Sequence, residues 1–281
     1  MPELPEVETV KRAIAQAALS HEIADVLVSG QKMRWPIPVT IKEDITGLSI
    51  KDVRRRGKYI LMDVGMKDVT HTVIIHLGMS GSVRIYPKEN NIEPKKHDHL
   101  TIRTSQVNDG VTLVLNDPRR FGGVQIIEAE HAEQHPLLKR LGVEPLGDGL
   151  NTDMMVKAFK SKAAPIKAAL LDQHIITGIG NIYASEALYR AGISPKRLAK
   201  NVSAAKLDLL CMAIKNVLQD AIAQGGTSLR DHVQPGGEIG YFVQSLDVYG
   251  RKGEKCKKCS TPVKEIRQSG RASFYCSTCQ R

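Results

Sequence analysis

The sequence predicts an α+β protein: one N-terminal helix leads into a β domain, a helical domain follows, and a small metal-bound ribbon closes the chain. Three observations predict it. Short β-rich runs punctuated by turn residues fill the stretch from about Val26 to Ile127, and the apolar period becomes helical beyond about residue 150. Four cysteines then fall close to the C-terminus as two C-x-x-C pairs. At 281 residues the chain has room for two domains with cores of their own.

The first element is the helix in "MPELPEVETV". Pro5 suits a first helical position, Glu6 and Glu8 complement the positive end of the helix dipole, and Val7, Val10 and Ile14 recur at helical spacing. That accounts for Pro5 and leaves Pro2 unexplained. A small residue at position two normally permits removal of the initiator methionine, which here would leave a secondary amine beside Glu3. An α-amine has a pKa of about 7.7 to 8.0, so part of it is unprotonated near neutrality, and amines attack sugar or carbonyl carbons to give imines. Taken alone, the stretch reads more simply as a helix start.

The runs "GKYILMDV", "HTVIIHLGMSGSVRIY", "DHLTIRT", "GVTLVLND" and "GGVQIIE" read as strands, and their close spacing suggests a sandwich or barrel-like domain. From His131 to Leu150 the chain reads as a linker with a short helix. "NTDMMVKAFKSKAAPIKAALLDQ", "NIYASEALYRAG" and "SAAKLDLLCMAIKNVLQDAIAQGG" then read as helices, with Cys211 in the apolar core of the last. A Gly-rich stretch, "GGTSLRDHVQPGGEIGYF", precedes the cysteines. The expected domains are 1–130, a linker over 131–150, a helical domain over 151–244 and a ribbon over 245–281.

Cys256, Cys259, Cys276 and Cys279 form CKKC and CSTC pairs separated by sixteen residues, a zinc-ribbon spacing. Each pair aims two thiolates at one tetrahedral Zn²⁺, and four protein ligands leave no open position, so the single ion is structural. Disulfides are the poorer alternative in a reducing compartment. The chain carries 40 Lys and Arg against 30 Asp and Glu, for a formal charge of +10. Within residues 251–281, nine Lys or Arg face only Glu254 and Glu265, so the ribbon is its most basic part. That balance points to nucleic acid held by its phosphates, and aromatics at 4% argue against a stacking platform for single strands. No apolar run is long enough for a membrane span, and no signal-peptide pattern opens the chain; the expected location is the cytoplasm.

"PELPEVET", "RRRGKYI", "HLGMSG", "NDPRRFGG", "GIGNIYASEALYRAGI" and "VYGRKGEKCKKC…GRASFYCSTCQR" occur in the order found in the formamidopyrimidine-DNA glycosylases, which this chain resembles over its whole length. The resemblance implies a β-sandwich domain, a helix-two-turn-helix and a zinc ribbon. It implies a bacterial base-excision-repair enzyme that removes oxidised purines from duplex DNA and cleaves the resulting abasic site. In that reading the Pro2 amine attacks the sugar C1′, Glu3 relays protons, Lys58 assists β-elimination, and Arg271 grips phosphates beside the lesion and assists δ-elimination. Glu6 also matches a motif position, although a helix-start carboxylate explains it as well. Ser273 stands where the family usually has Thr, a change that keeps the hydroxyl. Without the resemblance, Lys58 would read as a surface lysine at the start of a strand.

The target base must leave the stack for its C1′ to be reached, and Met79, Arg119 and Phe121 resemble the family's void-filling set. Their setting in Gly- and Pro-rich turns argues against ordinary core packing. His97, Arg119, Lys162, Lys167 and Asn181 match DNA contacts, with Gly178 and Gly180 permitting a tight turn before Asn181. Pro165 departs from the usual pattern near Lys167. The stretch from Gly225 to Tyr241 resembles a lesion-capping loop whose glycines expose backbone N–H groups. No nucleotide cofactor is implied, and one chain supplying every element suggests a monomer. Within this class, an endonuclease VIII-like enzyme for oxidised pyrimidines fits less well, since that branch usually has Gly at the position of Leu4. A zinc-ribbon protein that binds DNA without chemistry is the reading from outside the class; Pro2, Glu3, Lys58 and Arg271 together separate the two.

Overall fold

The computed structural model describes residues 2–87, 92–105, 109–227 and 242–281. These fall into two compact units, one of residues 2–139 with 225–227, the other of residues 140–224 with 242–281.

In the first unit, helix α1 (Leu4–Ala18) buries Val7, Val10, Ile14 and Ala18 along one stripe. Its cap is Glu3, so Pro5 occupies the second helical position rather than the expected first; its missing N–H is harmless at either. Two four-stranded antiparallel sheets follow. One has the order β1 (Ile23–Val28), β6 (Asp98–Thr104), β7 (Val111–Asn116), β5 (Ser82–Pro87). The other runs β2 (Ser49–Arg56), β3 (Tyr59–Gly65), β4 (His71–His76), β8 (Gly123–Glu128). Their inner faces, with Ile50, Ile60, Met62 and Val73 from one sheet and Leu100, Ile102, Leu113 and Leu115 from the other, share one core with α1. This is a β-sandwich, and α1 packs against strands of both sheets. The five-residue helix α2 (Ile41–Ile45), too short for its period to stand out in the sequence, buries Ile41 and Ile45.

In the second unit, α3 (Thr152–Phe159) and α4 (Ile166–Leu170) replace the single helix that the apolar pattern suggested. Pro165 explains the break, because it disfavours helical backbone at Ala164 and itself caps α4. Helix α5 (Asn181–Arg190) is almost entirely buried, and α6 (Ala204–Ala223), capped by the Ser203 hydroxyl accepting from Lys206 N–H, packs against it. Cys211 lies in this core. Strands β9 (Lys264–Gln268) and β10 (Arg271–Tyr275) form the ribbon hairpin. Ser269 and Gly270, both at positive φ (47° and 77°), make its two-residue turn, the conformation that continues the twist of the strands. Among the described residues no helix is long and apolar enough to cross a membrane.

Candidate catalytic and nucleic-acid interface

Pro2, Glu3 and Glu6 are all buried at the head of α1, where the first-turn N–H groups concentrate positive potential. Glu6 is a junction: its Oε2 accepts from Glu3 N–H at 2.7 Å, and its Oε1 accepts from Thr227 N–H at 2.8 Å and from the Thr227 hydroxyl at 2.9 Å. The root of the Gly-rich segment is thereby tied to the residue that follows Pro2. Gly226 permits the approach, since it has a φ of +82° and a Cβ there would meet Glu6 Oε1 at 2.8 Å. Residues 228–241, the rest of the expected capping loop, lie outside the described residues. One turn further along α1, burial pushes the Glu8 carboxyl up, but hydrogen bonds from Arg12 and Arg55 outweigh it and hold the pKa below the usual value.

Lys58 is no solvent lysine: it sits in the tight β2–β3 turn and is only 9% exposed. Its charge is felt at His76, the last residue of β4. Burial first, then the Lys58 and Arg34 charges, press the His76 pKa down to about 4. Gly78 N–H donates to His76 Nδ1 at 3.1 Å, so Nε2 carries the proton of a neutral ring held against Tyr59 and Trp35.

The loops that carry Met79 and Arg119–Phe121 meet around Asp117. This fully buried carboxylate accepts the Ser80 hydroxyl at 2.6 Å and Gly122 N–H at 2.8 Å, while Arg119 N–H donates to Ser80 Oγ at 3.2 Å. Glycine makes the contact possible: a Cβ on Gly78 would lie 2.3 Å from Gly122 N, and one on Gly122 would lie 2.6 Å from His76 O. Phe121 is 45% exposed, with the Arg119 guanidinium 5.2 Å from its ring centre. Met79, Arg119 and Phe121 line one open cleft of about 700 Å³ with Met33, Arg34 and His76. His97 joins the same loops through its carbonyl, which accepts from Asp117 N–H at 3.0 Å.

In the second unit, Arg271 is exposed at the start of β10 and the residues behind it are anchored. The Lys167 ammonium donates to Ala272 O at 2.8 Å and to Ser273 Oγ at 2.9 Å, and the Asn181 amide donates to the same carbonyl at 3.0 Å. Lys167 is only 2% exposed. Lys167 is expected as a DNA contact; in the fold its ammonium turns inward and holds the hairpin. Asn181 begins α5 as expected, with its amide nitrogen turned to Ala272. Lys162 stays near the surface, paired with Asp172 at 2.9 Å. Glu186, fully buried in mid-α5, accepts from the N–H groups of Asp247, Val248 and Tyr249 at 2.8 to 3.0 Å and fixes the chain leading to the ribbon. Burial raises its pKa against the pull of those bonds.

The sulfurs of Cys256, Cys259, Cys276 and Cys279 lie within 4.8 Å of one another, with separations of 3.9 Å for Cys256–Cys279 and 3.4 Å for Cys259–Cys276. A tetrahedron with Zn–S bonds of about 2.3 Å has edges of about 3.8 Å, so the cage fits one Zn²⁺ with no coordination position left over. Burial pushes the Cys256 thiol up, yet hydrogen bonds from the Tyr189 hydroxyl and from backbone N–H groups outweigh it and lower its pKa.

Asp117, His76, Glu186 and Tyr189 were not singled out from the sequence. Asp117 had a signal, since Asp before Pro favours a turn closed by its own side chain. A glutamate in the mostly apolar "YASEALY" was another.

Residues 1–124 match the family model described as the formamidopyrimidine-DNA glycosylase N-terminal domain, 141–233 its H2TH domain, and 253–281 the zinc finger found in FPG and IleRS. The formamidopyrimidine-DNA glycosylase of Ruegeria pomeroyi is 45% identical over 289 aligned residues, and that of Shewanella halifaxensis 43% over 281, with both chains covered in full in each case. A Lactococcus lactis FPG variant in complex with DNA containing Fapy-dG is 32% identical with a TM-score of 0.89, both chains again covered completely. The wild-type Lactococcus lactis protein with DNA containing an oxidised pyrimidine gives the same values. Fold and site together define a zinc-finger DNA glycosylase. The chain belongs to the formamidopyrimidine-DNA glycosylase family, the bifunctional glycosylases and abasic-site lyases that act on oxidised bases in DNA.

Proposed function

We propose that the protein excises oxidised purines, 8-oxoguanine and formamidopyrimidines, from duplex DNA through an imine on Pro2. The arrangement at the head of α1 carries this reading: Pro2 is buried directly before Glu3 at the positive end of a helix. Once Met1 is removed, the unprotonated fraction of the proline amine offers its lone pair to C1′. Attack forms the N–C1′ bond as the C1′–base bond breaks, and Glu3 takes the proton from the nitrogen; returned to O4′, that proton lets the C1′–O4′ bond open and leaves the iminium ion. Lys58 assists β-elimination, and Arg271, presented at the ribbon tip, clamps phosphate and assists δ-elimination. Met79 and Phe121 fill the vacated stack, and the Arg119 guanidinium bonds the widowed base. His97, Lys162 and Asn181 support the backbone of the duplex.

The working domains are residues 1–130, 151–244 and 245–281, joined by 131–150. Zinc holds the ribbon in shape and takes no part in bond making. The protein acts as a monomer without a nucleotide cofactor, in the bacterial cytoplasm and on the nucleoid when bound to DNA. Leu4 and the complete wedge favour purines over pyrimidines.

Borohydride reduction during incubation with an 8-oxoguanine:cytosine duplex tests the reading. The expected result is a covalent adduct mapping to Pro2 in protein whose intact mass shows loss of Met1. No adduct in zinc-loaded, DNA-binding protein would overturn it. Trapping on oxidised-pyrimidine duplexes alone would overturn the purine preference, a comparison prompted by the pyrimidine complex of the Lactococcus lactis relative.

A further inference from the structure

Tyr189 lies near the C-terminal end of α5, is 1% exposed, and packs with Val248, Cys256, Val263 and Cys276. Its Oη is 3.2 Å from Cys256 Sγ. A zinc-bound cysteine is a thiolate and has no proton to give, so the phenol must be the donor. A second bond reaches the same sulfur from Lys258 N–H at 3.4 Å. The Lys258 ammonium stands 4.7 Å from the centre of the Tyr189 ring, where its charge draws density from the ring and strengthens the hydroxyl as a donor.

We propose that Tyr189 is an outer donor to the zinc site: its hydroxyl withdraws charge from the Cys256 thiolate, which tightens zinc retention and makes this sulfur less reactive toward electrophiles. Hydrogen bonds to metal-bound ligands orient them and tune their basicity. Here the donor comes from a helix of the DNA-binding fold rather than from the ribbon itself, so the metal site is completed by α5, the helix that starts at Asn181 and holds the chain before the ribbon through Glu186.

Tyr189→Phe removes one oxygen and keeps the ring beneath Lys258. Zinc affinity, measured by competition with a chromogenic chelator, is expected to weaken about 10- to 100-fold. Limited alkylation of the zinc-loaded protein with iodoacetamide forms a carbon–sulfur bond and releases iodide. Mapped by mass spectrometry, it should accelerate at Cys256 in the variant and not at Cys276, which is equally buried. Unchanged affinity with an unchanged alkylation pattern would overturn the proposal, as would equal acceleration at both cysteines, which would mean general loosening. If the variant does not fold, NMR of the native protein loaded with ¹¹³Cd decides. A scalar coupling between the Tyr189 hydroxyl proton and the metal is expected, and a hydroxyl proton lacking that coupling would overturn the donor assignment.

Discussion

The ammonium of Lys167 lies 2.9 Å from the hydroxyl of Ser273, joining helix α4 to the ribbon strand two residues beyond Arg271. A buried cation of this kind is stable only while its acceptors stay in place, so the hairpin is held by both a charge and a shape. Lys167→Met, of similar length, removes the donor from Ala272 O and Ser273 Oγ and should cost about 2 to 3 kcal/mol. Amide exchange should rise in β9 and β10 with little change in α6. Ser273→Thr should be close to neutral and Ser273→Ala destabilising, as denaturant titration would show.

Asp117 joins the loop that carries Met79 to the loop that carries Arg119–Phe121. Asp117→Ala leaves the Ser80 hydroxyl and Gly122 N–H without their buried acceptor, for a loss of about 2 to 4 kcal/mol. Excision of 8-oxoguanine should fall more than abasic-site cleavage, because an abasic site has no base to be unstacked. Fluorescence of 2-aminopurine placed beside the lesion would report weaker opening of the stack.

Glu6 connects Glu3 with Thr227. Glu6→Gln puts an amide where a carboxylate accepts three hydrogen bonds, and single-turnover base excision should slow at least tenfold while duplex affinity changes little. Gly226→Ala should slow it as well, since its Cβ would press on Glu6 Oε1 and its φ is left-handed. A variant with native excision rates would contradict the role assigned to this junction.

His76 makes stability pH-dependent. Its folded pKa of about 4 lies below the unfolded value of 6.5, so between those limits the unfolded chain binds the extra proton. Stability from this group is complete above about pH 6.5 and falls as the pH drops toward 4, by about 3 kcal/mol at most. Urea titrations at pH 7 and pH 4.5 should show a smaller acid loss in His76→Gln than in the native protein.

The elements were readable where local pattern decides structure. "HTVIIH" and "GVTLVLN" announce strands by composition and turn punctuation, and α6 announces itself by period and by its Ser203 cap. The cysteine cage was equally plain, because spacing alone determines which sulfurs can share an ion. The destinations of polar side chains were not. Lys167 finds its acceptors at Ala272 and Ser273, more than a hundred residues away, so nothing in "APIKAAL" distinguishes it from a surface cation. Lys58 and Glu186 are buried for the same reason, by partners that only the tertiary fold supplies. Pro165 was visible as an anomaly, and its effect, two short helices where one was expected, follows from proline sterics.

The near-contact of Gly78 with Gly122 makes the loops that carry Met79 and Phe121 a single unit of inheritance. Neither position has room for a methyl group unless the facing backbone withdraws, so a change in one loop must be answered in the other. Transplanting "HLGMSG" or "NDPRRFGG" alone into a relative should therefore fail where grafting the pair succeeds. Selection on the packing of these loops acts on both segments at once.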